Sequence, residues 1–394
     1  MATLANKSFW LIDESTYGAT PTTGTATRIR GTEALQVDGE TAESEEVTPN
    51  RRAPYSRSAG RSVSGDIGSE LRYGADIMML LERQCCGTAT AITMSASTLS
   101  VTASTRTITD SAAGIDTSKF RAGRVISITG FTTEGNNVTN AVISSVTSST
   151  IVLTAATTTL ADEAEGDSVT ITSTTKRLLP GVTRKACSLI RDQSDITTGR
   201  YMTFHGVQLN DLNYEMAPKA FNKFTISCVG LDGDVSDSAP TGVTLGEATT
   251  YEPMNAIEST VSIDGTAVGS CTALKLTAPN GIAMTNVIGS AVGYTGGGIA
   301  GTTIENRKPT FTATVILDED SAGYYTKFKN DTAIAFEIVN VDPAGNEIDI
   351  GWPNAKLTGA PTTGDTIRTM ELAGNLNYSA TLGSEYYIDF TPAV

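Results

Sequence analysis

Apolar and polar residues alternate with a period of two through much of this chain, most densely over residues 199–230. Met202 and Phe204 alternate with polar neighbours, as do Leu212, Tyr214 and Met216, and then Phe224, Ile226 and Cys228. Strand side chains point to opposite faces in turn, so the spacing predicts three half-buried antiparallel strands joined by polar turns. The apolar parity changes at His205-Gly206. A glycine at a parity change predicts a bulge, where one extra residue re-aims those that follow.

The pattern recurs near the end of the chain. Residues 354–357 stand where 206–209 stand, and 370–374 where 226–230 stand. Upstream, 61–67 and a helix predicted over 73–84 match 309–316 and a helix over 321–329, while 32–37 match 271–276. Ile77, Met78, Leu80 and Leu81 give the first helix an apolar face, with Asp76 and Glu82 outward and Gly87 ending it. Tyr324, Tyr325 and Phe328 give the second helix the same face. Order and spacing thus predict two related β units, against the plainer alternative of two unrelated ones.

A Thr-, Ser- and Ala-rich stretch separates elements of the first unit, with short strands at 98–102, 124–128, 142–146, 150–153 and 168–171. Closely spaced turns there predict a small barrel or sandwich that folds by itself. The expected organisation is a first unit at 1–87 and 177–235, an inserted surface β domain at 88–176, a linker at 236–258 and a second unit at 259–394. Residues 385–390 are expected as a last strand or an arm.

Composition narrows the function. The chain has 394 residues, a formal charge of -15 and 18% charged residues, which argues against a basic nucleic-acid-binding surface. No signal-peptide pattern opens it and no apolar run is long enough for a membrane helix, so a non-secreted protein without membrane association is expected. The five cysteines show no metal-ligand spacing and are expected as buried free thiols. One histidine, His205, rules out a multi-histidine metal site, and no Gly-x-Ser-x-Gly elbow accompanies it. Residues 293–301 are glycine-rich but lack the Lys-Ser/Thr of a phosphate loop. Asp162, Glu163, Glu165 and Asp167 lack EF-hand spacing and read as an acidic turn. No enzyme, cofactor or metal is expected.

The clearest charge pattern lies in a long loop expected over residues 38–65. Glu40, Glu43, Glu45 and Glu46 come first, followed by Arg51, Arg52, Arg57 and Arg61. Opposite-sign halves are suited to fixing register against an adjoining subunit.

Glu14-x-x-Tyr17-Gly18-x-x-Pro21, the run from Arg200 to Leu212 with 224–230, and residues 261–265 with 311–315 together resemble the major tail tube proteins of long-tailed, non-contractile phages. The likeness covers most of residues 8–378 outside the insert. It implies a β-sandwich or barrel with a flanking helix, a fold shared with the tube of type VI secretion. It also implies a structural virion protein whose rings stack into the tail tube, assembled in the host cytoplasm. Many members carry one such unit and form hexameric rings; two tandem units imply three chains per pseudo-sixfold ring, with six as the alternative. The implied partners are other copies, the tape-measure protein, the tail terminator and the distal tail protein. Double-stranded DNA would pass through an acidic lumen without specific binding. The eight charged residues of the loop become candidates for contact between rings, and the insert is expected to project outward. A Thr-rich all-β surface adhesin or host-binding tail protein is the rival reading, and a polysaccharide-degrading tail enzyme a weaker one.

Overall fold

A computed structural model describes residues 7–45, 55–155, 160–283, 303–304, 307–317, 321–363 and 367–393. The chain is mainly β with two helices among these residues, as the alternation predicts. It divides into two compact units. The larger comprises Met1–Thr88, Leu179–Asp342 and Gly351–Tyr386; the smaller comprises Ala89–Leu178, Pro343–Ile350 and Tyr387–Val394.

The larger unit is built on one 16-residue strand, Tyr201–Met216. The sequence pattern divides this stretch into two strands and a turn, but the backbone runs through it by means of two bulges. At the first, Cys187 faces Val207 while Leu189 faces Phe204, so Ser188 spans His205 and Gly206. The second falls between Leu209 and Leu212. Each bulge absorbs a parity change, which keeps Phe204, Leu209, Leu212 and Tyr214 buried along a single strand.

The strand changes partners at the first bulge. Residues 201–205 pair with Cys187–Gln193 and Asp232–Ser236, and Lys7–Asp13 and Gly24–Ile29 extend that sheet. Beyond it, the strand pairs with Lys223–Gly230 on one edge and Cys271–Ala278 on the other. A second run of pairings results: Gln36–Glu43, Ser56–Glu70, Lys223–Gly230, Tyr201–Met216, Cys271–Ala278, Thr310–Ile316, Thr369–Leu376 and Glu347–Gly359. The order of the first four, first strand, second, last, long, recurs in the second four.

The core below is aromatic. Phe336 stacks on Trp352 at 5.0 Å between ring centroids, and Phe311 lies within 5.6 Å of both. Tyr214 Oη donates to Asn340 Oδ1 at 2.7 Å, and Asn222 Nδ2 donates to the same oxygen at 2.8 Å. These bonds fix buried polar groups that would otherwise be costly.

The first helix, Ala75–Gln84, buries Ile77, Leu80 and Leu81 as expected. Asp76 is buried rather than outward, because Arg72 reaches it through Nε at 3.1 Å and Nη2 at 2.6 Å. Cys86, at φ 53, takes the left-handed position expected of Gly87. The second helix, Ser321–Lys329, departs further: Tyr324 and Phe328 are half-buried and Tyr325 is exposed. The presumed linker at 236–258 is packed: Val243–Leu245 pairs parallel to Gly24–Ile29, and Trp10 Nε1 donates to Gly246 O at 2.7 Å.

The smaller unit contains the strands expected in the Thr-rich stretch, around a core including Ile92, Ile108, Phe120, Ile126, Ile151 and Ile171. Distant chain completes it. Tyr387–Thr391 pairs with Val169–Leu178. Asp349 and Asp389 bring two buried carboxylates to two buried guanidiniums. Arg124 Nη2 lies 2.9 Å from both Asp349 Oδ2 and Asp389 Oδ2, and Arg177 Nε lies 2.7 Å from Asp389 Oδ1. Burial pushes the Asp349 carboxyl up to about 7 against the pull of Arg124, with Asp389 and Glu347 adding to the push.

Candidate assembly interface

A long, largely exposed hairpin lies in the larger unit where the sequence suggests a loop. Gln36–Glu43 and Ser56–Glu70 pair from Gln36↔Ser64 to Glu43↔Ser56, with a register shift between Glu40 and Thr41. Its base is held by the body, since Val63 is buried and faces Gly230. Further out, Gly39 to Glu43 on one strand and Ser56 to Ser58 on the other are all exposed. Ser56 lies seven residue steps from Val63, so the ribbon reaches roughly 23 Å beyond the last pairing with its neighbour at about 3.3 Å per residue. A two-stranded ribbon without a packed face is marginal in water, so this one is suited to a surface supplied from outside.

Five of the eight charged candidates are described. Glu40, Glu43, Glu45 and Arg57 are exposed on the ribbon. Arg61 is also exposed, but its Nη2 lies 3.0 Å from Asp232 Oδ2, so it ties the ribbon's base to the body. Glu46, Arg51 and Arg52 lie outside the described residues. The glycine-rich 293–301 also lies outside them, although Ile282–Ala283 and Thr303–Ile304 pair on either side.

The motif at Glu14 acts on the central strand. Glu14 Oε1 accepts from Ser188 Oγ at 2.7 Å and from Gly206 N at 2.8 Å, and Oε2 accepts from Gly18 N at 2.7 Å. One carboxylate therefore satisfies the N–H freed by the bulge and closes the turn that follows it in sequence. Burial raises its pKa despite these three bonds. Gly206 has φ 66, and a Cβ there would stand 2.6 Å from Leu231 Cγ, so no larger residue fits.

Chemistry for catalysis is sparse among the described residues. His205 Nε2 stands 3.6 Å from Asp234 Oδ2, and its Nδ1 is buried without a hydrogen-bond partner. All five cysteines are free. Burial pushes Cys85 up to about 12 and Cys271 up to about 11, and raises Cys86, Cys187 and Cys228, which disfavours thiolate. No group of His, Cys, Asp and Glu suited to a metal occurs among the described residues. The acidic turn holds loops instead: Asp162 accepts from Ala103 N, Glu163 from Asn136 Nδ2, Glu165 from Ser111 Oγ and Asp167 from Thr132 N.

A long bulged strand, a protruding ribbon and a sheet with open ends make a body for assembly. Residues 5–380 match the family described as phage tail tube protein. The chain belongs to that family. No curated protein matches it. The tail tube protein is thus a structural component of the virion tail, built to assemble with itself and with other tail components, and its mainly β fold agrees with the sequence resemblance. Sequence reading missed one further exposed element, Thr362–Thr363, which pairs with Thr369–Leu376. Pro361 and the surrounding glycines disguise it as a plain turn.

Proposed function

We propose that this tail tube protein polymerises into rings of three chains, which stack into the tube of a long, non-contractile tail and form the conduit for DNA ejection. The recurrence of one strand order in the two halves of the larger unit's sheet carries this reading. Each half occupies one place in a pseudo-sixfold ring, as a single-unit subunit would in a hexamer. The halves are two tail-tube units, at 1–87 with 177–235 and within 259–394, less the segments 343–350 and 387–394 that complete the smaller unit. Closed rotational assembly removes sheet edges that would otherwise pair indiscriminately. The charge of -15 suits a conduit that repels DNA phosphates.

The ribbon of residues 38–61 carries the contact between rings, its Glu and Arg residues setting register against the adjoining layer. The tape-measure protein would lie within the tube, with the tail terminator and distal tail protein at its ends. Sedimentation and negative-stain microscopy of the purified chain test this reading. Stacked rings with an axial channel are expected; a chain that stays dispersed at high concentration, even with tail initiator present, overturns it.

A further inference from the structure

The sheet contains a seam that it can make a second time, between chains. Val37 faces Val63, and Val63 faces Gly230. In the second half Leu276 faces Phe311, and Phe311 faces Gly374. Val37 therefore corresponds to Leu276, Val63 to Phe311 and Gly230 to Gly374. Leu212 on the long strand of the first half faces Ile226, and Thr362, in the short strand that follows the long strand of the second half, faces Met370. Ile226 and Met370 hold the same place relative to Gly230 and Gly374, so Leu212 corresponds to Thr362. This register lies two residues from the match of 206–209 with 354–357, a shift that keeps a strand's faces; the bulges fall between Leu209 and Leu212 in one half and between Leu357 and Gly359 in the other.

Within the chain the halves join where Leu212 of the first faces Ala278 of the second. The position equivalent to Ala278 is Gly39, and the position equivalent to Leu212 is Thr362. Both lie on open edges: among the described residues Gln36–Glu43 pairs only with Ser56–Glu70, and Thr362–Thr363 only with Thr369–Leu376. Gly39 and Thr362 are exposed, and a Cβ on Gly39 would meet nothing within 4 Å.

The backbone at Thr362 is prepared for a partner. Glu371 N donates to Pro361 O at 3.0 Å, so the peptide groups of Pro361 face the inner strand. Pro361, which has no N–H to give, is thereby kept off the outer edge, where the N–H and C=O of Thr362 point.

Resting on the tube reading above, we propose that neighbouring chains in a ring join by antiparallel pairing of residues 38–41 of one copy with 360–363 of the next, Gly39 opposite Thr362. The junction repeats the one at Leu212 and Ala278. Three such seams alternate with three internal ones to close the sheet. The ribbon's base then serves the ring, and its tip is left for the next layer.

Paired cysteines test the register. Facing residues in an antiparallel pair lie about 4.5–5.5 Å apart at Cα, within disulfide range. A chain carrying Cys271→Ser, Gly39→Cys and Thr362→Cys, assembled and oxidised, is expected to run as a covalent three-chain species without reductant. Moving the second cysteine to Thr358 is expected to abolish the linkage. Assembled rings without linkage, or equal linkage from Thr358→Cys, overturn the seam. Cryo-electron microscopy of wild-type tubes decides the same question if the variants do not assemble: a sheet continuous from 38–41 into 360–363 of the next chain is expected, and one broken there overturns the proposal. A wild-type chain that forms no rings overturns the tube reading itself.

Discussion

Glu14 and Gly206 lie 192 residues apart in sequence, yet the carboxylate of one accepts the backbone N–H of the other at 2.8 Å. The bond sits where the central strand exchanges one set of partners for another. Replacing Glu14 with Ala removes the acceptor and leaves that N–H, with those of Gly18 and the Ser188 hydroxyl, to find other partners. A buried donor stranded in this way costs about 1–3 kcal/mol. Chemical denaturation of Glu14→Ala is expected to show a loss of that size, and an unchanged midpoint would assign the bulge's stability to packing alone.

The Arg124, Arg177, Asp349 and Asp389 cluster is expected to govern the smaller unit. Removing one partner of a buried ion pair leaves the other charge uncompensated, at roughly 3–5 kcal/mol. Asp389→Ala leaves Arg177 without its carboxylate and Arg124 with Asp349 alone. Hydrogen exchange is expected to accelerate across Val169–Leu178 and Tyr387–Thr391 while the strands of the larger unit's core keep their protection. Uniform acceleration in both units would contradict this.

Asp349 also predicts a pH dependence. Its carboxyl is raised to about 7 in the folded chain, against about 3.9 in an unfolded one. Below the unfolded value both states are protonated and the contribution is fully present; as pH rises toward and through 7, the unfolded state releases its proton more readily and stability is lost. Thermal melts of the smaller unit's transition are expected to fall between about pH 4 and pH 7. Asp349→Asn should flatten that slope, and an unchanged slope assigns it to other groups.

Shortening the ribbon separates assembly from folding. Joining Glu43 to Ser56 through a two-residue Asn-Gly turn removes the tip but keeps the base pairing. The melting temperature is expected to stay within a few degrees, since the strand residues flanking the deletion, Thr41 to Glu43 and Ser56 to Ser58, are exposed, while sedimentable tubes are lost. Normal tubes from this variant would remove the ribbon tip from ring stacking.

Much of the fold is legible in the alternation of residues. The parity change at His205-Gly206 marks a real bulge, and the Asp264-Gly265 pair makes the tight turn its residues demand, with both at positive φ. Failures have local causes. The ribbon reads as a loop because neither face is buried, so its residues need no apolar alternation. Asp76 reads as outward because its partner, Arg72, stands before the helix and ordinary amphipathic patterning ignores it. The closure of the smaller unit by Asp349 and Asp389 is invisible because pairing across hundreds of residues leaves no periodic trace. At the candidate interface, charge sorting picks out exposed Glu40, Glu43 and Arg57, whereas Arg61 turns out to bind Asp232, and the open edge at Thr362 is hidden by Pro361.

Counting the chains in one layer tests the account most directly. Cryo-electron microscopy of tubes from the purified protein, with symmetry assigned by class averaging, is expected to show three chains per ring and six similar β units around the channel. Six chains per ring would contradict the pairing of the two halves, and particles that never assemble would contradict the tube itself.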